Sequence, residues 1–397
     1  MFGRAQSALA RDLATPSTWP LLDSLRGATV LAVVAWHVYR LSATGFSPHA
    51  VPFYFWPLGS ARLGVDVFFV LSGFLVIRSW RSIRLRASSI GHAILEYAGR
   101  RARRILPAYW FSLVVLVALW ARPVLHNPRH VLLFVTVNEY VRFVLPAQVN
   151  VVYWSLTVEW QFYVVVPLLA WLMFRLGRWT MLAACLTLSF MWWSHRPPMQ
   201  LPQGSLFGHL DQFVAGAIVG ELVAAQAAGA KSAIVRVARL RSTGALVALG
   251  LLAIGTYHGS TLGASRGNGF DPMLHPLFGL LAAAGILHLL TRSHQPWLEH
   301  RTLRALGLIS FSLYLWHYPI LAHGLPWAFG FAPMPSAIWM PLVIVAFVGA
   351  VFVVATLSYL LVERPFLANS KHSKSQSVRA ARTLAPAEPT GAAEARR

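Results

Sequence analysis

The feature that most constrains this chain is a succession of apolar stretches, each close to the ~20 residues an α-helix needs to cross a hydrocarbon layer. Ten can be marked: 22–41, 62–80, 105–122, 152–174, 179–194, 207–226, 242–258, 273–291, 306–325 and 339–362. Within hydrocarbon a spanning segment must satisfy its own backbone polar groups. The expected fold class is therefore all-α, a polytopic membrane bundle of about ten transmembrane helices. Composition agrees. Of 397 residues, 56% are hydrophobic and only 12% are charged. A water-facing surface needs about twice that share of charge, so a single soluble domain is excluded, as is disorder over most of the chain. The 16 tryptophans suit a protein anchored at two membrane–water interfaces. Cys185 stands alone and excludes an internal disulfide framework. No secretory signal layout precedes the first span, whose apolar run is interrupted by Arg26 and His37.

The net charge of +21 does not point to nucleic acid, because the basic residues sit in short loops between apolar runs. With the N-terminus in the cytoplasm, the outer loops hold Arg40, Arg62, Arg122, Arg129, Arg142, Arg196 and Arg266, while Arg26 and Arg78 lie within spans. All the rest of the 34 lysines and arginines then face the cytoplasm. The run 130–137 is apolar but too short to span; counting it as a span would turn the later basic loops outward, so it is expected at the surface or as a half-buried re-entrant piece. In the first cytoplasmic loop, Ser88 and Ser89 can cap a helix in which Ile90, Ala93, Ile94, Tyr97 and Ala98 recur at helical spacing before Arg100, Arg101, Arg103 and Arg104. This predicts an amphipathic helix in the cytoplasmic interface. Its arginines suit anionic lipid heads or a phosphate-bearing ligand. The expected organisation is a cytoplasmic segment 1–20, a membrane domain 21–367 and a disordered basic cytoplasmic tail 368–397.

Ionisable groups inside hydrocarbon cost free energy and are rarely idle. Arg26 and His37 are eleven residues apart, so they share one helix face about 20° apart in azimuth and about 16 Å apart along the axis. Asp66 lies about one turn inside the second span, Glu159 about 10 Å into the fourth, His209 and Asp211 near the outer end of the sixth, and His317 near the middle of the ninth. An imidazole and carboxylates gathered at one depth can do general acid–base work. Each also has a structural reading. An intramembrane His can bond a neighbouring helix, Asp66 can pair with Arg62 one turn away, Asp211 can hold a loop, and Glu221 can reach the inner interface. No two histidines have metal-ligand spacing on one helix and no Cys cluster exists, so no metal is expected. No Gly-rich phosphate loop is present.

Taken in order, the motifs resemble a known family. Leu22-Asp23-Ser24-Leu25-Arg26-Gly27 leads to His37, with ten residues between the Arg and the His. Gly64-Val65-Asp66-Val67-Phe68-Phe69-Val70-Leu71-Ser72-Gly73-Phe74 follows, then Arg100-Arg101-Ala102-Arg103-Arg104-Ile105-Leu106-Pro107, then Trp154-Ser155-Leu156-Thr157-Val158-Glu159 with Gln161-Phe162-Tyr163. Tyr314-Leu315-Trp316-His317-Tyr318-Pro319 and Glu363-Arg364-Pro365-Phe366 close the series. This order over 21–367 resembles the acyltransferase 3 family of integral membrane O-acyltransferases.

The resemblance implies transfer of an acyl group, most often acetyl, from a cytoplasmic acyl-CoA co-substrate. The acceptor would be a hydroxyl of a cell-surface or exported glycan, a glycolipid or a glycosylated small molecule, at a bacterial plasma or inner membrane with both termini cytoplasmic. It also implies roles. His37 is the base or the acyl carrier, with Glu159 orienting it and Asp66 in reserve. Arg26, Arg101, Arg104 and Ser72 form the acyl-donor side, and Ser155, Tyr314 and His317 line the site. Acetyl-CoA enters as co-substrate, with no permanently bound cofactor and no nucleic-acid partner. Some members carry an extracellular hydrolase-like domain after the last span, whereas the basic tail here leads to the expectation of a membrane domain alone. The rival class is a transporter or flippase for lipid-linked sugars, which would favour inverted repeats that this sequence does not display. A purely structural membrane subunit leaves the acid–base groups unexplained.

Overall fold

The computed structural model describes residues 19–42, 61–138, 149–195, 205–264, 273–292, 295–296, 298–331 and 339–367. The expected tail over 368–397 and most of the segment 1–20 lie outside the described residues. Among the described residues every regular element is helical. In chain order the α-helices are α1 (Pro20–Ser42), α2 (Gly64–Arg86), α3 (Ile90–Leu119), α4 (Pro128–Val135), α5 (Tyr153–Leu176), α6 (Arg178–Ser194), α7 (Leu210–Ala227), α8 (Ala233–Ala238), α9 (Arg241–Ala264), α10 (Leu274–Thr291), α11 (Arg301–Leu308), α12 (Ser310–Phe331) and α13 (Trp339–Ser358), which runs on into a π-turn, Tyr359–Glu363; short 3-10 turns lie at Ala61–Leu63, Arg122–His126 and Leu206–Gly208.

Among the described residues, six helical segments can cross a membrane by length and composition: Pro20–Tyr39, Ile90–Leu119, Tyr153–Leu176, Leu210–Ala227, Leu274–Thr291 and Leu342–Leu367. A seventh is added if the bent pair α11–α12 counts as one span. Those two helices meet at 72° about Ile309, so the stretch expected as one span over 306–325 starts inside a corner, where Ser310 Oγ bonds Gly307 O at 2.8 Å. α2 spans in length but carries Asp66, Arg78, Arg81, Arg84 and Arg86, and α6 has 17 residues.

The polarity is inverted relative to a soluble protein. Phe174, Leu95, Val164 and Leu361 are 83%, 76%, 70% and 65% exposed, whereas His37, Asp66, His209, Asp211, Gln212, His275, His317 and Glu363 are buried. A wide apolar exterior around a polar interior is what a bilayer solvent selects.

Two sequence boundaries differ from expectation. Ser89 caps α3 as predicted, its side chain accepting from His92 N, but the helix does not stop after the arginines. It runs 30 residues through Pro107, about 45 Å, so the expected interfacial helix over 90–104 and the expected span over 105–122 are one rod. The missing Pro107 N–H costs one rung of the ladder, which spanning helices tolerate. The run 130–137 forms the short α4, too brief to span, as expected. It is pinned to α3 by Tyr109 Oη donating to Phe134 O at 2.6 Å and Trp110 Nε1 donating to Val135 O at 3.0 Å.

A close crossing joins α2 and α7. A Cβ on Gly73 would fall 2.0 Å from Phe213 O, and one on Gly216 would fall 1.9 Å from Val70 O. Backbone therefore packs on backbone at this crossing, the small-residue mode of helix association in lipid. Phe74, near the middle of α2, sits edge-on to Trp19 at the start of α1 (5.3 Å), and the start of α2 packs near Thr29 and Val33 of α1. The two helices are therefore antiparallel, and α2 begins about halfway along α1. This register positions the site.

Candidate active site

A cavity of about 240 Å³ lies among α1, α2, α3, α5 and α12. Arg26, Arg101, Arg104, Glu159 and Tyr163 line it along with Ser72, and Ser155 and Tyr314 line it as well. Its size is below the ~300–1,000 Å³ that encloses a drug-sized ligand, so it can take an arm of a larger molecule rather than the whole.

The arginines form one group. Arg26 comes from the second turn of α1, and Arg101 and Arg104, three residues apart on α3, present one helix face. Arg101 Nη2 donates to Ser79 Oγ at 3.2 Å and its guanidinium lies over the rings of Tyr97 and Tyr163. Among the described residues no carboxylate oxygen lies within 4.0 Å of Arg26, Arg101 or Arg104. Glu159 and Glu363 are within electrostatic range of Arg26 without pairing directly. Glu363, in the π-turn after α13, accepts from Ser312 Oγ at 3.0 Å. It belongs to the motif Glu363-Arg364-Pro365-Phe366, yet sequence reasoning gave it no role. Its burial among arginines appears only once α13 is folded back on α12.

Glu159 is not where its distance along the chain suggested. Its Oε1 accepts from Ser72 Oγ at 2.6 Å and from Tyr163 Oη at 2.5 Å, which places it among the arginines and away from His37. The chain ahead of α5 is already inside the protein. Asn150, ahead of it, is buried and donates to Leu315 O of α12 at 2.9 Å, so the helix begins inside the protein. Six residues further on, Glu159 lies about 9 Å deeper still. Among the described residues it makes no hydrogen bond to His37. Nor does Asp66: its Oδ1 is bound by Gln212 Nε2 at 2.6 Å and lies 2.9 Å from His275 Nδ1, with His209 Nδ1 3.9 Å away. The alternative partner Arg62 has a side chain outside the described residues.

The residue that does meet His37 is His317, on α12. His317 Nε2 lies 3.1 Å from His37 Nδ1. The tautomers follow from the neighbours. His317 Nδ1 faces two carbonyls, Tyr314 O at 2.7 Å and Leu313 O at 3.2 Å, and a carbonyl can only accept. The proton of His317 is thus on Nδ1, and its Nε2 is an acceptor. His37 Nδ1 must then donate to it, as it also does to Val33 O at 3.0 Å. This assignment leaves the lone pair of His37 on Nε2, the atom a base or nucleophile would use. Trp36 and Tyr318 hold the His37 ring edge-on at 4.5 and 5.2 Å.

Tyr314 joins the two regions. It lines the cavity, its Oη shares a hydrogen with Ser155 Oγ at 2.7 Å and donates to Val152 O at 3.1 Å, and its ring centroid is 5.5 Å from that of His317. His37 itself does not line the cavity. Asp211 accepts from Ser189 Oγ at 2.6 Å, tying α7 to α6 rather than holding a loop, and Glu221 pairs with Arg81 at 3.2 Å and Arg178 at 3.5 Å.

Comparison with known proteins gives the family. An acyltransferase-domain family model matches residues 19–362. The chain is 27% identical over 389 residues to a peptidoglycan O-acetyltransferase OatA of Listeria monocytogenes, covering 88% of this chain and 56% of that protein. It is 32% identical over 167 residues to a protein named putative peptidoglycan O-acetyltransferase YrhL of Bacillus subtilis, covering 38% of this chain and 23% of the relative. It is 28% identical over 169 residues to an O-acetyltransferase OatA of Staphylococcus aureus, covering 39% and 25%. This chain thus spans about half or less of these relatives. No solved structure gives a significant match. With its apolar exterior and ordered motifs, this integral membrane chain belongs to the acyltransferase 3 family.

Proposed function

We propose that this chain is a membrane O-acyltransferase that moves an acetyl group from cytoplasmic acetyl-CoA to a hydroxyl of a cell-surface or exported glycan or glycolipid. The names of its relatives make peptidoglycan the first acceptor to test. The observation that carries the reading is a cavity lined at one part by Arg26, Arg101 and Arg104 and elsewhere by Tyr314, which packs on His317, the partner of His37. Arg26 and His37 lie on one face of α1, about 16 Å apart along its axis. This separation suits a thioester whose polyanionic head and reacting carbon are well apart.

In the proposed mechanism the arginines hold phosphate by charge-assisted bonds. The pantetheine arm lies in the cavity, past Ser72 and Ser155. His37 Nε2 takes the proton from the acceptor hydroxyl as its oxygen attacks the thioester carbon. The C–S bond then breaks, and the CoA thiolate leaves and takes up the proton. The same lone pair could instead attack the thioester and carry the acetyl group as acyl-histidine before passing it on. In either route positive charge develops on His37, and His317 Nε2 stabilises it through the Nδ1–H bond. Ten spans with both termini cytoplasmic complete the proposal, since that topology turns the arginines of α3 towards the cytoplasm.

The test uses sealed membrane vesicles of both orientations and acetyl-labelled CoA, which does not cross membranes. Label should enter glycan only when CoA reaches the cytoplasmic face. Labelling from the outer face alone would overturn the donor side, and sugar export without thioester consumption would favour a flippase.

A further inference from the structure

A second cluster of ionisable groups lies outside the cavity lining. Asp66 sits in the first turn of α2, His209 precedes α7 as its N-cap, and His275 sits in the first turn of α10, so three helix starts converge. All three residues are buried. Sequence spacing could not group them, because each comes from a different helix.

We propose that Asp66, His209 and His275 bind a divalent transition-metal ion, of the zinc or iron(II) class. One ligand atom from each residue lies within 4.8 Å of the others. His275 Nδ1 and His209 Nδ1 stand 2.9 and 3.9 Å from Asp66 Oδ1. Around a tetrahedral ion with bonds of ~2.0–2.1 Å, ligand atoms are about 3.3 Å apart, between these two distances. Small side-chain shifts would close all three on one ion. Two imidazoles and one carboxylate form a donor set that zinc and iron(II) both accept with a position left over.

Three further observations support a cation here. Gln212, whose Nε2 bonds Asp66, has a buried amide oxygen with no hydrogen-bond partner among the described residues, a neutral ligand within reach of the remaining position. Asp211, also buried, is close enough to interact electrostatically with Asp66, so two carboxylates share an apolar region that a divalent ion would balance. Aromatic rings fix the imidazoles: Trp193 stacks on His275 at 4.9 Å and 14°, and Phe69, Trp154 and Trp193 surround His209. Such a shell sets ring orientation and excludes water from a metal centre. The ion would clamp the starts of α2, α7 and α10. It is independent of the acyl-transfer reading.

The competing explanation is a metal-free network in which helix N-termini and neutral imidazoles stabilise the carboxylates. The experiment purifies the full chain with a histidine-free tag and without chelator. It measures bound metals by mass spectrometry, then follows thermal unfolding after chelation and after adding Zn²⁺, Fe²⁺ or Mg²⁺. The expected result is one transition-metal equivalent per chain, a fall in Tm on stripping, recovery with Zn²⁺ or Fe²⁺ but not Mg²⁺, and a Co²⁺-substituted protein with visible d–d absorption. Asp66→Asn and His275→Gln should lose the ion, whereas Arg26→Ala should keep it. Substoichiometric metal with a Tm indifferent to chelation and Zn²⁺ would overturn the proposal, as would unchanged metal content in the Asp66→Asn, His275→Gln double variant. If those variants do not fold, the wild-type stripping and reloading arm decides alone.

Discussion

Replacing His317 with Phe isolates the hydrogen bond that holds the imidazole of His37, the proposed base. His317 is fully buried, and a ring of similar size can fill its place. The substitution removes the only side-chain hydrogen-bond partner of His37 Nδ1 among the described residues, leaving Val33 O, a carbonyl of the same helix, at 3.0 Å. While His37 is neutral the lost bond is worth about 1 kcal/mol. In the transition state His37 gathers positive charge, and a hydrogen bond to a charged group is worth about 1.5–3 kcal/mol. Only the difference, about 0.5–2 kcal/mol, reaches kcat, which at 1.4 kcal/mol per tenfold should fall about 2–27-fold. The KM for acyl-CoA should hold, because His317 does not line the cavity with the arginines. The assay is thiol release from acetyl-CoA with a glycan acceptor, in purified wild type, His317→Phe, His37→Ala and the double variant. Residues that act as one unit are non-additive, so His317→Phe should cost nothing further once His37 is Ala. A kcat within twofold of wild type, or an equal loss in both backgrounds, would refute the pairing.

Further outcomes follow from the same geometry. Arg26→Ala should raise the KM for acyl-CoA about 10–150-fold, one charge-assisted bond's worth, with a smaller change in kcat; the ratio of KM for acetyl-CoA to KM for a truncated, phosphate-free acetyl-pantetheine thioester checks it, since only the former should respond. Glu159→Gln should leave the pH dependence of kcat unchanged, because this carboxylate bonds Ser72 and Tyr163 and not His37; a pH–rate profile tests this. Gly73→Ala should lower stability by about 1–3 kcal/mol or more, since its Cβ would meet Phe213 O at 2.0 Å, and size-exclusion monodispersity and thermal unfolding in detergent report it.

Local periodicity made part of this legible in advance. Arg26 and His37 share a helix face because eleven residues is close to three turns, and nothing beyond α1 is needed to see it. The apolar runs announced the helices, and Ser89 announced the start of α3. Depth was harder. Glu159 looked level with His37 when counted along its own span, whereas its partners Ser72 and Tyr163, and the buried Asn150–Leu315 bond ahead of α5 that joins positions 165 residues apart, depend on how the helices pack. The partners of Asp66 come from α7 and α10, and the partner of His37 comes from α12; no spacing along one helix encodes them. The continuity of 90–119 went unseen because the arginines at 100–104 were read as the boundary between an interfacial helix and a span, whereas one helix carries both, Pro107 included.

The most direct measurement is acetyl transfer from labelled acetyl-CoA by reconstituted wild type and by His37→Ala, inserted and folded to the same extent. Loss of the base should lower the rate about 10²–10⁴-fold while CoA binding persists. Transfer at the wild-type rate in His37→Ala would contradict the proposed chemistry.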